Sequence, residues 1–330
     1  MSVIKFTVMS WNVENLFTPD HPSGSGPRDQ ATYERKLKNL ASTIQAVSPD
    51  VIGLQEVGDP DALGALSQRL NNRYPYMRIS RFPDARGIRN AFISRLPLLQ
   101  AEDYDEFPPQ AIVNAPTGED GGPIRSMGRG ALKVTVVLAP GLLTNMMNIH
   151  LKSKLVTYAD GRRFPLNEDE RARGTAYALM RRAAEAAAVR TYLNRLMSEN
   201  NEPMVLLGDF NDEPRAVTSS ILLGPEDRSL SHRDKFDDVR LYNLADYLPF
   251  ERRYSRMYHK SKELIDHIAV SHELIFYLKQ MESIVEPISS IDADVESRRD
   301  AVYPDHAALF ARFEIPEDEA DRHFAITRPL

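Results

Sequence analysis

The 330-residue chain contains no cysteine. Disulfides and thiolate–metal sites are therefore excluded, and any bound metal must take carboxylate, amide or imidazole ligands. That ligand set favours Mg²⁺, with Mn²⁺ or Ca²⁺ as alternatives. Long apolar runs are also lacking, since no stretch approaches the roughly 20 residues of a membrane span. Nor is there an excess of positive charge. The formal net charge of −6 argues against a globally basic nucleic-acid binder, while leaving room for a local basic patch beside an acidic, metal-filled cleft. The opening "MSVIKFTVMSWN" enters a strand at once, without the basic segment, apolar run and small-residue cleavage site of a secretory signal. A cytoplasmic protein is the expectation.

What is present is an apolar fraction of 42%, enough for a substantial core. The run from Val3 to Ser10 reads as a strand. It is followed by a polar loop, "TPDHPSGSGPRDQ", and by a helix-period segment with Leu37, Leu40, Ile44 and Val47 on one face. The short buried strand "SPDVIGLQEV" comes next, completing a strand–helix–strand unit of α/β type. Further strands are expected at "NAFIS", "GALKVTVVLA", "LLTNMMNIH", "MVLLGD", "LIDHIAVS" and "HAALFARFEI", with helices near Asp61–Leu70 and from about Glu168 to Met197. No internal repeat and no linker divides the chain, so one domain over residues 1–330 is expected. Long polar segments at Asp105–Gly130, Ser153–Asn167 and Gly224–Asp238 read as functional rims or mobile loops.

Several of these strands end in polar residues. "MVLLGDFND" places Asp209 and Asn211 on one side of an extended strand end and Phe210 on the other. Asp212 is placed to cap a following helix, with Pro214 in its first turn. Asn12 ends the first strand and Glu56 the second, where open α/β sheets collect ligands. "NMMNIHLKSK" delivers His150 ahead of Lys152 and Lys154. In "ELIDHIAVS" the period of two puts Asp266 and His267 on opposite faces, and "YPDHAALFARF" offers Asp305 and His306 just before the last strand. A histidine beside a carboxylate from another strand is a candidate base or phosphate ligand, and Asp266 is the partner expected for His306. Each residue alone suits a cap or a satisfied structural role. Together they equip a hard-cation site with a carboxylate base and imidazole acids, as metal-assisted phosphoester hydrolysis requires.

In this order, Asn12 of "SWNVENL", Glu56 of "GLQEV", His150 of "NIHLKSK", Asp209 and Asn211 of "GDFND", Asp266 of "LIDHIAVS" and Asp305 with His306 of "PDHAAL", the chain resembles the endonuclease/exonuclease/phosphatase family of metal-dependent phosphoesterases, over residues 5–315 or so. The resemblance implies a four-layer α/β sandwich of the deoxyribonuclease I type, two mixed sheets packed face to face with helices outside, and a tail over 316–330. It implies Glu56 as the principal metal ligand with Asn12 and Asp305 nearby, and Asp209 as the group that orients or deprotonates the attacking water. It further implies Asn211 on the phosphate or that water, and His306, steadied by Asp266, as phosphate contact or base. His150 is then the group that stabilises the transition state or protonates the leaving oxygen.

The rim is less decisive. The arginines 78, 81, 86, 89 and 95 follow the second strand, but no tyrosine-bearing segment of the duplex-DNA-reading type accompanies them. The arginines of the long helix suit its dipole, with acidic residues first and basic ones later. Lys152 and Lys154 are the better candidates for substrate phosphate. Two features of the inositol polyphosphate phosphatases, a tryptophan before the "GD" motif and an arginine after it, are missing from "LLGDFNDEP". No apolar membrane-docking loop of the sphingomyelinase kind stands out. The expected activity is phosphodiester hydrolysis, with a nucleic acid as the first candidate substrate. Phosphatase or phosphodiesterase action on small-molecule or lipid phosphates is the alternative.

Overall fold

The computed structural model describes residues 2–109, 124–156, 158, 162, 164–199, 202–224, 230, 238–292 and 298–319. Strand β1 (Val3–Leu16) leads through helix α1 (Gln30–Val47) to β2 (Val51–Val57), and α2 (Pro60–Arg69) leads to β3 (Tyr76–Ile79) and β4 (Arg89–Ser94). β5 (Leu98–Glu106), β6 (Ser126–Ala139) and β7 (Leu142–His150) precede the long α3 (Glu168–Glu199), β8 (Met204–Asp209) and α4 (Val217–Leu223). Then come β9 (Leu241–Asn243), the short β10 (Arg256–Tyr258) and β11 (Ser261–Glu263), β12 (Asp266–Ser271), α5 (His272–Ile275), β13 (Leu278–Ile284) and β14 (Ala308–Pro316). Two six-stranded mixed sheets result, ordered β13-β14-β1-β2-β4-β3 and β5-β6-β7-β8-β12-β9, beside a two-stranded β10-β11 hairpin.

Period-two side-chain alternation explains the layers. On β1, Phe6 and Val8 enter the core between the sheets, while Met9, Trp11 and Val13 pack under α1 and α2 with Leu37, Leu40, Ile44 and Leu63. On β8, Val205 and Leu207 face the opposite sheet, while Leu206 and Phe210 pack with Val189 and Leu193 of α3. Both faces of these strands are covered, so their sequences read as nearly continuous apolar runs. The fold is thus the expected sandwich with helices outside. No helix among the described residues is long and apolar enough to cross a membrane.

The same alternation positions the polar strand ends. Following Phe6 and Val8 on the inter-sheet face of β1 are Ser10 and Asn12, and following Val205 and Leu207 on β8 is Asp209. A layer of buried amides separates core from site: Gln55 Nε2 donates to Asn148 Oδ1 at 2.7 Å, and Asn148 Nδ2 donates to the carbonyls of Leu54 and Ala91 at 2.9 Å. Gly208 holds the parallel β7–β8 pair close. Its φ is +139°, and a Cβ there would lie 1.9 Å from the Ile149 carbonyl oxygen, so only glycine fits.

One local expectation is corrected. Asp212 does not cap a helix: α4 begins five residues later, at Val217, with Ala216 at its cap and no side-chain cap bond. The turn through Pro214 lies between them, and the Asp212 carboxylate instead accepts from Thr218 Oγ1 at 2.6 Å and from Arg182 at 3.2 Å. Of the tail expected over 316–330, residues 320–330 lie outside the described residues, as do residues 110–123 of the first long loop, 157, 159–161 and 163 of the second, and most of the third.

Candidate active site

Three neighbouring strands build one row of the site. β7 runs parallel to β8 with His150 opposite Asp209, and β12 runs antiparallel to β8 with Asp266 opposite Asp209. Residues opposite one another project to the same face of a sheet, so a histidine and two aspartates stand side by side at the end of the inter-sheet core. The other sheet faces them with Asn12 and, from the segment entering β14, His306.

The contacts are specific. Asn12 Nδ2 donates to Asp209 Oδ2 at 3.1 Å, and the Asn211 backbone N–H donates to Asp209 Oδ1 at 2.9 Å. His150 Nε2 lies 3.4 Å and His306 Nε2 4.0 Å from Asp209 Oδ2. His306 Nδ1 lies 2.7 Å from Asp266 Oδ2. Asp266 is held in turn by the chain entering β12, where Ser255 Oγ accepts its backbone N–H at 3.1 Å. His267 projects from the opposite face, as its place in the strand requires. Its Nε2 lies 2.9 Å from the Asp212 carbonyl oxygen and its Nδ1 3.2 Å from Asn243 Nδ2.

Burial and charge set the protonation states. Burial alone would lower the His306 pKa, but Asp266, Asp305 and Asp209 outweigh it and raise it to about 10, so the ring is an imidazolium. Burial, with Asp266 beside it, raises Asp209 above the usual carboxylate range, against the opposing pull of His306 and Asn12. Burial pushes His150 well below the usual imidazole value, reinforced by Arg129, Arg86, His306 and Lys152, so this ring is neutral. The site therefore holds one charged and one neutral imidazole on either side of one carboxylate.

Glu56 and Asp305 belong to an adjoining group of acids. At Glu14 and Asn15 β1 turns left-handed, with φ of 46° and 52°, and Glu56 of β2 does the same at 62°. These irregularities fall where the β1–β2 register shifts, and left-handed non-glycine residues of this kind are sparsely populated and cluster at functional sites. They bring the Asn15 N–H to Glu56 Oε2 at 3.0 Å. Glu14 ties the parts together: its N–H donates to Asn12 Oδ1 at 3.0 Å, and its carboxylate accepts from Arg298 Nε and Nη2 at 2.6 and 2.7 Å and from the Asp305 N–H at 3.0 Å. The buried Lys36 ammonium donates to the Glu14 carbonyl and lies within electrostatic reach of Glu14, Glu56 and Asp305.

His150, Asp209, Asp266, His306 and Asn12 are thus brought together, with Asn211 next to them. The Asn211 side-chain amide, however, donates to the Leu151 carbonyl at 3.0 Å. Lys152 and Lys154 are turned to other partners: Lys152 Nζ donates to the carbonyls of Ser153 at 3.1 Å and Leu155 at 2.5 Å, and Lys154 Nζ lies 3.7 Å from Asp212. Glu14, Lys36, Arg298 and Trp11, whose Nε1–H donates to the His306 carbonyl at 2.9 Å, were not singled out from the sequence. Only Lys36 left a signal there, as a lysine between Tyr33 and Leu40 on the buried face of α1.

The oxygen-rich donor set suits a hard divalent cation. The Asp305 carboxylate and Glu56 Oε1 carry no hydrogen bond among the described residues. Ligand atoms of Asp209, Asp266 and His306 also lie within 4.8 Å of one another. Both groups already hold cations, His306 beside Asp209 and Asp266, and Lys36 with Arg298 beside Glu14, Glu56 and Asp305; the oxygens of Glu56 and Asp305 that carry no hydrogen bond are the donors left to the second group for an added cation.

Two mixed sheets packed face to face, with acids and imidazoles at the strand ends between them, define a deoxyribonuclease I-like architecture. The chain belongs to the Endonuclease/Exonuclease/phosphatase family, whose model matches residues 9–284. Truncated TDP2 from Caenorhabditis elegans is similar over 94% of this chain and 97% of its own, with 17% identity and a TM-score of 0.54. A family member from Bacteroides vulgatus is similar over 94% and 99% of the two chains, with 14% identity and a TM-score of 0.57. ANGEL2, described as a 2′,3′-cyclic phosphatase, is similar over 94% and 95%, with 14% identity and a TM-score of 0.56. These likenesses are of fold. A search of curated proteins finds no match.

Proposed function

We propose that this protein is a divalent-metal-dependent phosphodiesterase that cleaves P–O bonds by in-line attack of water, acting on nucleic acid. The observation that carries the reading is the row formed by His150, Asp209 and Asp266 on three paired strands, with His306 and Asn12 facing it from the other sheet.

In-line displacement at phosphorus places negative charge on the equatorial and leaving oxygens. Asp209, its basicity raised by burial, orients the attacking water and accepts its proton. The His306 imidazolium, fixed by Asp266, carries positive charge to a non-bridging oxygen without rearranging during reaction. His150, neutral at pH 7, donates a hydrogen bond to the leaving oxygen. Asn12 and the Asn211 N–H hold the Asp209 carboxylate in one orientation. Glu56, Asn12 and Asp305 would hold the metal, Mg²⁺ in the first instance, which when bound supplies further positive charge to the phosphate oxygens.

The test is hydrolysis by purified protein with Mg²⁺, Mn²⁺ or chelator, on supercoiled plasmid, single-stranded DNA, RNA, a 2′,3′-cyclic nucleotide and generic mono- and diesters. The expected result is metal-dependent diester cleavage that Asp209→Ala abolishes. Cleavage of monoesters alone would replace this reading with a phosphatase, and no metal-dependent hydrolysis of any substrate would refute it.

A further inference from the structure

The β10–β11 hairpin is not used by the chemistry above, yet it is anchored to the site at both ends. Arg256 forms an isolated antiparallel bridge with His306, the Ala307 N–H donates to the Ser255 carbonyl at 2.7 Å, and Ser255 Oγ accepts from Ile265 and Asp266 at 3.1 Å. From Arg256 to the tip is three to four residues, or roughly 10 Å at the rise of a strand, a distance that a nucleotide or two on one side of the scissile phosphate would span. The tip is fixed rather than loose: Lys260 N–H donates to Ser290 Oγ at 2.8 Å, and His259 N–H to the Ile291 carbonyl at 3.2 Å.

Its sequence is unsuited to its shape. Tyr258 pairs with Ser261 across a two-residue turn, with φ of 45° at His259 and 63° at Lys260. Such a turn favours Asn-Gly, because both central residues are left-handed. Here a histidine and a lysine, both exposed, occupy it against that preference. Local strain retained in this way points to a function for the side chains. Tyr258 is 43% exposed. His259 packs edge-on against its ring with 4.3 Å between centroids, and the Arg256 guanidinium lies 5.1 Å from the ring centre. Lys262 pairs with Met257 on the other face, its ammonium 4.4 Å from the Tyr254 ring centre and donating to the Glu251 carbonyl at 3.4 Å, and Glu263 is the one acid of the hairpin, 3.7 Å from Arg256. The result is an exposed aromatic ring with the Arg256 guanidinium beside it and Lys260 at the adjoining turn, a combination suited to binding unpaired bases by stacking and their phosphates by charge.

We infer that the β10–β11 hairpin is a binding element for single-stranded nucleic acid, with Tyr258 stacking on a base and His259 and Lys260 contacting flanking phosphates. The inference deepens the phosphodiesterase reading and rests on it. A purely structural hairpin would be improved by its favoured turn sequence, so the informative variant is His259→Asn combined with Lys260→Gly, with Tyr258→Ala alongside. Two quantities are read: the ratio of kcat/KM on a single-stranded 20-mer to kcat/KM on bis(4-nitrophenyl) phosphate, and the Kd of a fluorescent 20-mer for the metal-free protein. The Asn-Gly variant is expected to melt at or above the temperature of the unaltered protein while its ratio falls and its Kd rises about tenfold. Unchanged ratio and Kd, or loss of binding to anionic phospholipid vesicles in place of the 20-mer, would overturn the inference. If no substrate is cleaved, the phosphodiesterase reading fails, and the Kd still decides the hairpin separately.

Discussion

His306 Nδ1 and Asp266 Oδ2 lie 2.7 Å apart and both residues are buried, one from the segment before the last strand of one sheet and the other from a strand of the opposite sheet. The pair joins the sheets where the acids gather, and it fixes which imidazole of the site carries charge.

Asp266→Asn removes the negative charge that sustains the imidazolium. The His306 pKa, raised to about 10, should fall, because only Asp305 and Asp209 then oppose the effect of burial. Hydrolysis should drop about 100-fold or more, and loss of one partner of a buried pair should cost about 3 kcal/mol at pH 7. Because the folded pKa lies above the ordinary value, the stabilisation is complete below about pH 6.5 and is lost as pH rises through about 10. Urea denaturation of both proteins across that range should show the difference between them shrinking, with NMR titration reporting the His306 pKa.

His267 predicts the opposite pH response. Burial lowers its pKa to about 4, and the neutral ring donates from Nε2 to the Asp212 carbonyl while Nδ1 accepts from Asn243. The unfolded chain protonates first, so stability should decline as pH falls from about 6.5 towards 4, by about 3 kcal/mol in all. His267→Gln should flatten that part of the curve. An equally steep decline in the variant would remove His267 as its source.

These residues also separate what the sequence reveals from what it hides. Strands covered on both faces, such as β1, β2, β7, β8 and β12, are rich in apolar residues and carry the site residues within or at the end of them, so element and function lie in the same short string. β5, with most of its residues exposed, and β13, where Lys279, Gln280 and Glu282 surround Met281, lack such runs. Their place in the sheets comes from pairing with β6 and β14. Asp209 and His150 were readable because each follows an apolar strand. Glu14 and Arg298 were not, since residues 284 apart in sequence meet only after folding. The Asp212 cap failed for a local reason: the turn through Pro214 separates it from α4.

Glu14→Gln tests that hidden connection. An amide keeps the shape but loses the ion pair to Arg298 and weakens the hold on the Asp305 N–H. Partners of metal ligands contribute about 10-fold to 100-fold in affinity, so calorimetry should show Mn²⁺ binding at least about 10-fold weaker. Unaltered Mn²⁺ affinity would confine Glu14 to a structural role.

Gly208→Ala tests the backbone beneath the site. With a Cβ 1.9 Å from the Ile149 carbonyl oxygen, β7 and β8 cannot keep their spacing, and a loss of about 3 kcal/mol or more is expected. Thermal melting checks it, and a melt like that of the unaltered protein would show that the strands can separate without penalty.

The most direct test of the account is Asp209→Asn, which keeps the size of the side chain at the centre of the site and removes its basicity. Mn²⁺ binding by calorimetry and hydrolysis of bis(4-nitrophenyl) phosphate should be measured on the same preparation. Metal binding within a few-fold of the unaltered protein is expected, together with a loss of about 1,000-fold or more in kcat. Near-normal kcat in Asp209→Asn, or hydrolysis by the unaltered protein that persists in excess chelator, would contradict it.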